Sequence, residues 1–431
     1  MALTRFERGV VLSMEPGAEP LLDATVLAEG NLLTYVGPSD QAPASLGAQV
    51  VDCGGGAVLP GLVNAHTHLA MTLLRGFADD MPLPVWLEQK IWPTETKLTG
   101  EDVYWGSLLG VCEMLRGGVT CSSDMYHFFR EATQAARDGD LRACPSGVLI
   151  GFLPNAADLL EDAVAFVREL RQEHHPRLHP MLAPHAPYTC PDAMLEQVAG
   201  YATELGVPIH IHVSETAREL ADSLADHGET PPARLARLGV LDCRVAAAHC
   251  VHLTEEDIVL LAAQQVGIAH CPGSNLKLAS GFAPIPQLLA AGAVVGLGTD
   301  GCASNNNLDL FQEILLAGIV HKAVSGDPTA VTAQQALAMA TREGARALGL
   351  GDLIGTLTPG KRADLIVVDL SRPHLQPPHN LVSHLAYSAR ADDVKLTMVD
   401  GEILYRDGKL TRLDEAEIIA RANECAARLV R

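Results

Sequence analysis

Between residues 60 and 300 the chain passes through eight short apolar runs, most of them ending in a polar side chain, and helix-patterned stretches separate many of them. That alternation is the pattern of a (β/α)8 barrel, whose parallel strands place their C-terminal ends, and with them the active site, on one face. We expect the first strand to end at His66 and His68. The others are expected at 118–124, 143–150, 178–183 (ending near His185), 207–212, 244–249, 267–270 and 293–300. A helical pattern over 102–116 stops at Gly117-Gly118. A second over 158–173 places Leu160, Val164, Val167 and Leu170 on one face. A third opens at Thr254-Glu-Glu-Asp257, a capping box with Asp in place of Glu.

Both ends of the chain read differently. Residues up to about 58, and again 360–369 and 396–405, are rich in Val, Leu and Gly in short alternations, as in strands joined by tight turns. We therefore expect a small β-sandwich domain formed by both termini. The expected boundaries are 1–59 for its N-terminal part, 60–358 for the catalytic barrel, and 359–431 for its C-terminal part plus a terminal helix. With 431 residues, 48% hydrophobic and 19% charged, the chain has ample core material and no compositional case for disorder.

Charge narrows the partners. Thirty-one Lys+Arg against 52 Asp+Glu give a formal charge of −21, which opposes binding to nucleic-acid polymers or to an anionic membrane surface. The ten cysteines are scattered and form no Cys-x-x-Cys pair, as expected of free thiols in a reducing compartment. Residues 1–8 lack the basic-then-apolar order of a signal peptide, and no apolar run reaches the length of about 18 residues needed to span a bilayer. A cytoplasmic location and a homo-oligomer are expected.

In an extended chain residues i and i+2 share a face, so His66 and His68 can point at one ion from one strand. His212 and Asp300 stand at two further strand ends. Three imidazoles, one carboxylate and room for water describe a catalytic site for zinc, with iron or manganese as alternatives, rather than a closed structural site with thiolates. Glu215, where the chain leaves the fifth strand, can lie beside the activated water; its alternative reading is an acid at a helix N-terminus. His249 is a candidate donor to that water and His185 a candidate donor to substrate. His210 is expected to face the helical layer and is excluded as a ligand, while His270 stays ambiguous. Binuclear sites in such barrels use a bridging acidic group, often a carboxylated lysine from a middle strand. The segment 177–188 contains no lysine, so one ion per chain is expected.

Pro60-Gly-Leu-Val-Asn-Ala-His-Thr-His-Leu-Ala-Met-Thr-Leu-Leu-Arg-Gly76, Ser274-Asn-Leu-Lys-Leu278 and Gly298-Thr-Asp-Gly-Cys-Ala-Ser-Asn-Asn306 carry a family likeness that spans nearly the whole chain. The sequence resembles the amidohydrolase superfamily and, within it, the deaminases of 5′-methylthioadenosine, S-adenosylhomocysteine and adenosine. The resemblance implies metal ligation by His66, His68, His212 and Asp300, and substrate contacts from Glu95, His185 and Glu215. It sets His249 beside the nucleophilic water, with Asp300 also a base and Glu215 an acid toward the purine N1. Glu95 would accept hydrogen bonds from the ribose hydroxyls. Relatives that favour S-adenosylhomocysteine carry arginines near the third strand end, and residues 146–158 here hold none. The expected order is therefore methylthioadenosine, adenosine, then S-adenosylhomocysteine, each giving the inosine analogue and ammonia. Rival readings are a relative acting on guanine, 8-oxoguanine, cytosine or an s-triazine, and a non-catalytic scaffold, which would have lost metal ligands.

Overall fold

Eight parallel strands run through the middle of the chain in the computed structural model, which describes residues 2–430; Met1 and Arg431, the outermost residues of the expected terminal domain, lie outside the described residues. The strands are Leu62–Thr67, Val119–Tyr126, Arg142–Leu149, Ala183–Pro184, Ile209–Val213, Val245–His249, Gly267–His270 and Val294–Leu297. The first four pair in sequence order, and so do the last four. All are buried along their full length, as strands covered on both faces must be.

Two seams close the ring. At one, Leu182 bridges in parallel to Ile209, and the His210 N–H donates to the Leu182 carbonyl at 2.9 Å. At the other, the Asp300 N–H donates to the His66 carbonyl at 3.0 Å. Gly298 lies at this second seam, and a Cβ there would stand 2.9 Å from backbone atoms of His66. Only glycine lets the eighth strand come this close to the first. The fourth strand is shorter than the expected 178–183, with isolated bridges at Leu178 and Leu182 and regular pairing only at Ala183–Pro184. Pro180, between the two isolated bridges, has no N–H to donate, which interrupts the ladder.

The helices follow their caps. Gly100–Arg116 begins with a reciprocal Thr99–Asp102 box, Glu255–Ala263 with the Thr254–Asp257 box, and Ala156–Glu173 buries Leu160, Val164, Val167 and Leu170. No helix among the described residues is long and apolar enough to cross a membrane.

Strands from both termini form the small sandwich domain as one continuous nine-stranded sheet, in which Ala57–Pro60 pairs with Leu365–Val368 and Leu3–Val11 with Leu21–Glu29. Its core, with Phe6, Val26, Leu33, Leu365, Val367 and Met398, is separate from that of the barrel. The last helix, Glu415–Leu429, leaves this sheet and packs on the barrel side, where Arg428 reaches Asp102 at 2.7 Å.

One buried ion network ties sheet to barrel. Arg142, at the start of the third barrel strand and wholly buried, forks onto both oxygens of Asp364 at 2.8 and 2.9 Å and reaches Asp400 at 3.2 Å. The Asp400 N–H in turn donates to Asp364 at 2.7 Å. Removing the guanidinium would leave buried Asp364 without its cation and Asp400 with only the longer contacts to Arg177 at 3.5 Å and Arg362 at 3.6 Å, and breaking such a buried pair typically costs about 3–5 kcal/mol. Arg142→Ala should therefore show a marked drop in Tm and in the denaturant midpoint, and a variant within about 1 kcal/mol of the parent would show that the network contributes little.

Candidate active site

His66 lies near the end of the first barrel strand and His68 just past it, both turned into the barrel mouth as their two-residue spacing requires. His212 reaches the same point from the fifth strand, and Asp300 from the turn after the eighth. His66 Nε2 stands 3.4 Å from Asp300 Oδ1, His68 Nε2 3.2 Å from the same oxygen, and His212 Nε2 3.4 Å from His68 Nε2.

The second ring nitrogen of each imidazole is already engaged. His68 Nδ1 donates to the Met125 carbonyl at 2.6 Å and His212 Nδ1 to the His185 carbonyl at 2.6 Å. His66 Nδ1 pairs with His210 Nε2 at 2.8 Å, and His210 Nδ1 lies 3.2 Å from Ser123 Oγ. The two carbonyls put a proton on Nδ1 of His68 and of His212, and all three Nε2 atoms converge beside a carboxylate. His66 Nε2 is buried and has no hydrogen-bond partner among the described residues, so it is an acceptor waiting for a cation. The donor set fits one divalent ion of the zinc type.

Burial lowers His66 to about 4 and takes His212 well below the ordinary imidazole value, so both are neutral, as ligation requires. Burial pulls His68 down too, but the hydrogen bond and charge of Asp300 outweigh it and raise the ring to about 9. Burial likewise works against Asp300, yet its bonds to His66 and His68 hold its carboxyl well below the usual range. A cation arriving here displaces the proton shared by His68 and Asp300. Asp300 is fixed from behind by Ser274 Oγ at 2.6 Å, Ser304 Oγ at 2.8 Å and the Gly301 N–H at 2.8 Å.

His210 is not where its expected orientation put it. It shares parity with His212, so it faces the barrel interior, fully buried, and supports His66 instead of facing the helical layer. His270 is drawn away from the cluster and bonds His321 at 3.1 Å.

Around the convergence point lies a cavity walled by His68, Glu95, His185, His212, Glu215 and Asp300. Glu215 is buried, which raises its carboxyl, and accepts from Ser280 Oγ at 3.4 Å. It precedes Thr216, the cap of the following helix, so the acid in that helix's first turn is Glu219 instead. His249 Nδ1 meets Asn275 Oδ1 at 2.9 Å, leaving Nε2 toward the site, 3.9 Å from Glu215 Oε2. The ligand atoms of His66, His212 and His249 lie within 4.8 Å of one another, so His249 comes as near as the other imidazoles. His185 is half-buried, braced by Thr189 at 3.0 Å, and burial lowers it to about 3, so it is a neutral ring. Glu95 lies across the cavity, 3.8 Å from His127 Nε2.

Several supports were not found from sequence. His210 follows from strand parity once the fifth strand is set, and Ser304 from its position four residues after Asp300. Asn275 and Ser274 sit in the Ser274–Leu278 motif without any spacing that ties them to His249 or Asp300.

A barrel with this cluster at its C-terminal mouth is the framework of a metal-dependent hydrolase, and residues 57–404 match the Amidohydrolase family: the chain belongs to that family. Within it, the chain is 46% identical over 431 residues to a 5-methylthioadenosine/S-adenosylhomocysteine deaminase of Pelotomaculum thermopropionicum, covering 100% of this chain and 99% of the relative. Its fold superposes on a crystal structure of an adenosine deaminase from Xanthomonas campestris with bound zinc, at a TM-score of 0.95 and 42% identity over 99% of this chain and 98% of that one. An atrazine chlorohydrolase from Arthrobacter aurescens complexed with zinc is similar at 26% identity and a TM-score of 0.90, with both chains fully covered.

Because His210 holds the His66 ring in the ligating tautomer, His210→Ala should weaken divalent-metal affinity by about 10–100-fold, the usual effect of removing such a support. Competition with a chelator of known affinity measures this. Unchanged affinity would mean that His66 is held by the barrel walls alone.

Proposed function

We propose that this protein is a metal-dependent hydrolytic deaminase of purine nucleosides, acting on 5′-methylthioadenosine first, then adenosine, with S-adenosylhomocysteine third. The observation that carries the reading is the pairing of a cation-ready cluster with a buried Glu215, its carboxyl raised by burial, on one wall of the cavity and Glu95 on another. Similarity to the Pelotomaculum and Xanthomonas enzymes supports the same choice. A homo-oligomer and a cytoplasmic location are part of the proposal, the location supported by unpaired cysteines that are buried except for half-buried Cys243.

In this reading His66, His68, His212 and Asp300 hold one ion. A divalent cation there, zinc by first choice, acts as a Lewis acid and makes water nucleophilic near neutral pH. Asp300 accepts the proton that the water gives up as its oxygen bonds to C6 of the purine. Glu215, its carboxyl raised by burial, donates to ring N1 and takes up the proton left on the new C6 hydroxyl, while Asp300 returns the first proton to the amino nitrogen as the C6–N bond breaks. His249 offers Nε2 to the attacking water, and His185 lines the base. Glu95 accepts from the ribose hydroxyls. Water is consumed; the inosine analogue and ammonia leave.

The 5′ group would point toward a recess of mixed lining, on whose aromatic wall Trp92 and Phe152 stand edge to face, 6.1 Å between centroids. That wall suits a methylthio group. Arg218 lines the same recess and gives the S-adenosylhomocysteine carboxylate a partner that the third-strand segment lacks. It is largely exposed and already paired with Asp222 at 3.2 Å, so it contributes little.

Glu215→Gln should keep fold and metal while turnover falls by about 10²–10⁴-fold. Near-normal ammonia release from a metal-loaded variant would remove Glu215 from the mechanism. A panel of kcat/KM values tests the substrate. Methylthioadenosine and adenosine are expected within about tenfold, roughly 1.4 kcal/mol, of each other. Adenine, which leaves Glu95 unpaired, should be poorer by about 1–3 kcal/mol or more. S-adenosylhomocysteine as the best substrate would shift the 5′ assignment to Arg218; adenine or guanine as the best would refute the role of Glu95.

A further inference from the structure

The turn that carries Glu215 is clamped by a side chain that stays outside the cavity of the histidine cluster and reaches only the wall of the neighbouring recess. Glu219, in the first turn of the helix Ala217–His227 and only 5% exposed, points its carboxylate back at the strand exit. One oxygen accepts the Ser214 N–H at 2.9 Å and the other the Glu215 N–H at 2.8 Å. Thr216-x-x-Glu219 has the spelling of a capping box, and Thr216 Oγ does accept the Glu219 N–H at 3.2 Å. The carboxylate, however, passes over the cap residue to the two peptides before it.

Those peptides need holding. Ser214 is left-handed at φ 51°, a conformation a non-glycine residue keeps only when its surroundings impose it. From the other side its carbonyl accepts the N–H groups of Val251 and His252 at 3.0 and 2.9 Å, which joins the turn to the exit of the sixth strand below His249. The Glu215 side chain itself has two long contacts, Ser280 Oγ at 3.4 Å and His249 Nε2 at 3.9 Å, so its direction is set mainly by its backbone. Burial raises the Glu219 carboxyl to about 7, and the two N–H donors work against that rise.

We infer that Glu219 is a positioning residue for the deamination: by gripping two successive backbone N–H groups it fixes the 214–215 turn and aims the Glu215 carboxyl at the ring nitrogen. The inference rests on the role given to Glu215 above.

Metal-loaded Glu219→Gln, Glu219→Asp, Glu215→Gln and the double variant Glu215→Gln/Glu219→Gln test it, with kcat and KM for methylthioadenosine, metal content and Tm measured on each. Glutamine fills the same space but presents one acceptor and one clashing donor. Its kcat should fall about 10–100-fold, the scale of a sub-ångström to 1 Å misplacement, with KM within about threefold and the metal retained. Aspartate keeps both acceptors on a shorter arm and should recover part of the loss. The double variant should be no slower than Glu215→Gln alone, since Glu219 acts through Glu215. A Glu219→Gln enzyme with normal kcat, or losses that multiply in the double variant, would overturn the inference while leaving the function intact. Normal turnover by Glu215→Gln would instead overturn the reading it rests on.

Discussion

Three hydrogen bonds at Nδ1 decide what this barrel mouth can do. His68 donates to the Met125 carbonyl, His212 to the His185 carbonyl, and His66 pairs with His210. The two carbonyls come from a neighbouring strand or strand exit and His210 from the fifth strand across the barrel, so the ring orientations are set by barrel closure and not by local sequence. The three Nε2 atoms then face one another around Asp300, where a cation takes the place of the proton shared by His68 and Asp300. The seam from the Asp300 N–H to the His66 carbonyl, possible because residue 298 is glycine, brings the Asp300 carboxylate to that point.

Around this centre the strand exits are held in conformations that residues other than glycine seldom adopt. Ser214, His249, Cys250 and Asp300 have φ between 50° and 71°. Each such residue costs on the order of 1–3 kcal/mol, and it persists only where the neighbours over-determine it. Here they do. Asp300 has two serine hydroxyls and a backbone N–H, His249 has Asn275, and Ser214 is gripped at both its N–H and its carbonyl. The strain turns side chains sharply out of the strands and into the cavity.

How much of this could be read from the sequence depended on range. His66-x-His68 is a local pattern with one geometric meaning, and barrel order brought in His212 and Asp300. The fold class followed from strand ends and capping residues that work over four or five positions. His210 was misplaced although the same parity rule that placed His66 and His68 applied to it. The fourth strand is shorter than its apolar run suggests because Pro180 breaks the ladder inside that run. Glu95 came from family likeness alone; in the structure it reaches the site because the chain from Leu83 folds through a wide helical turn at Leu87–Ile91 across the barrel mouth. The Arg142–Asp364–Asp400 network joins residues more than two hundred positions apart, and no local pattern announces it.

The central claim is that three imidazole nitrogens and one carboxylate hold a single ion. X-ray absorption at the zinc edge of the loaded enzyme tests it most directly. The account predicts a first shell of nitrogen and oxygen alone at about 2.0–2.2 Å, with multiple-scattering features from imidazole. A sulfur shell near about 2.3 Å, or a second metal at about 3.5–4 Å, would contradict it.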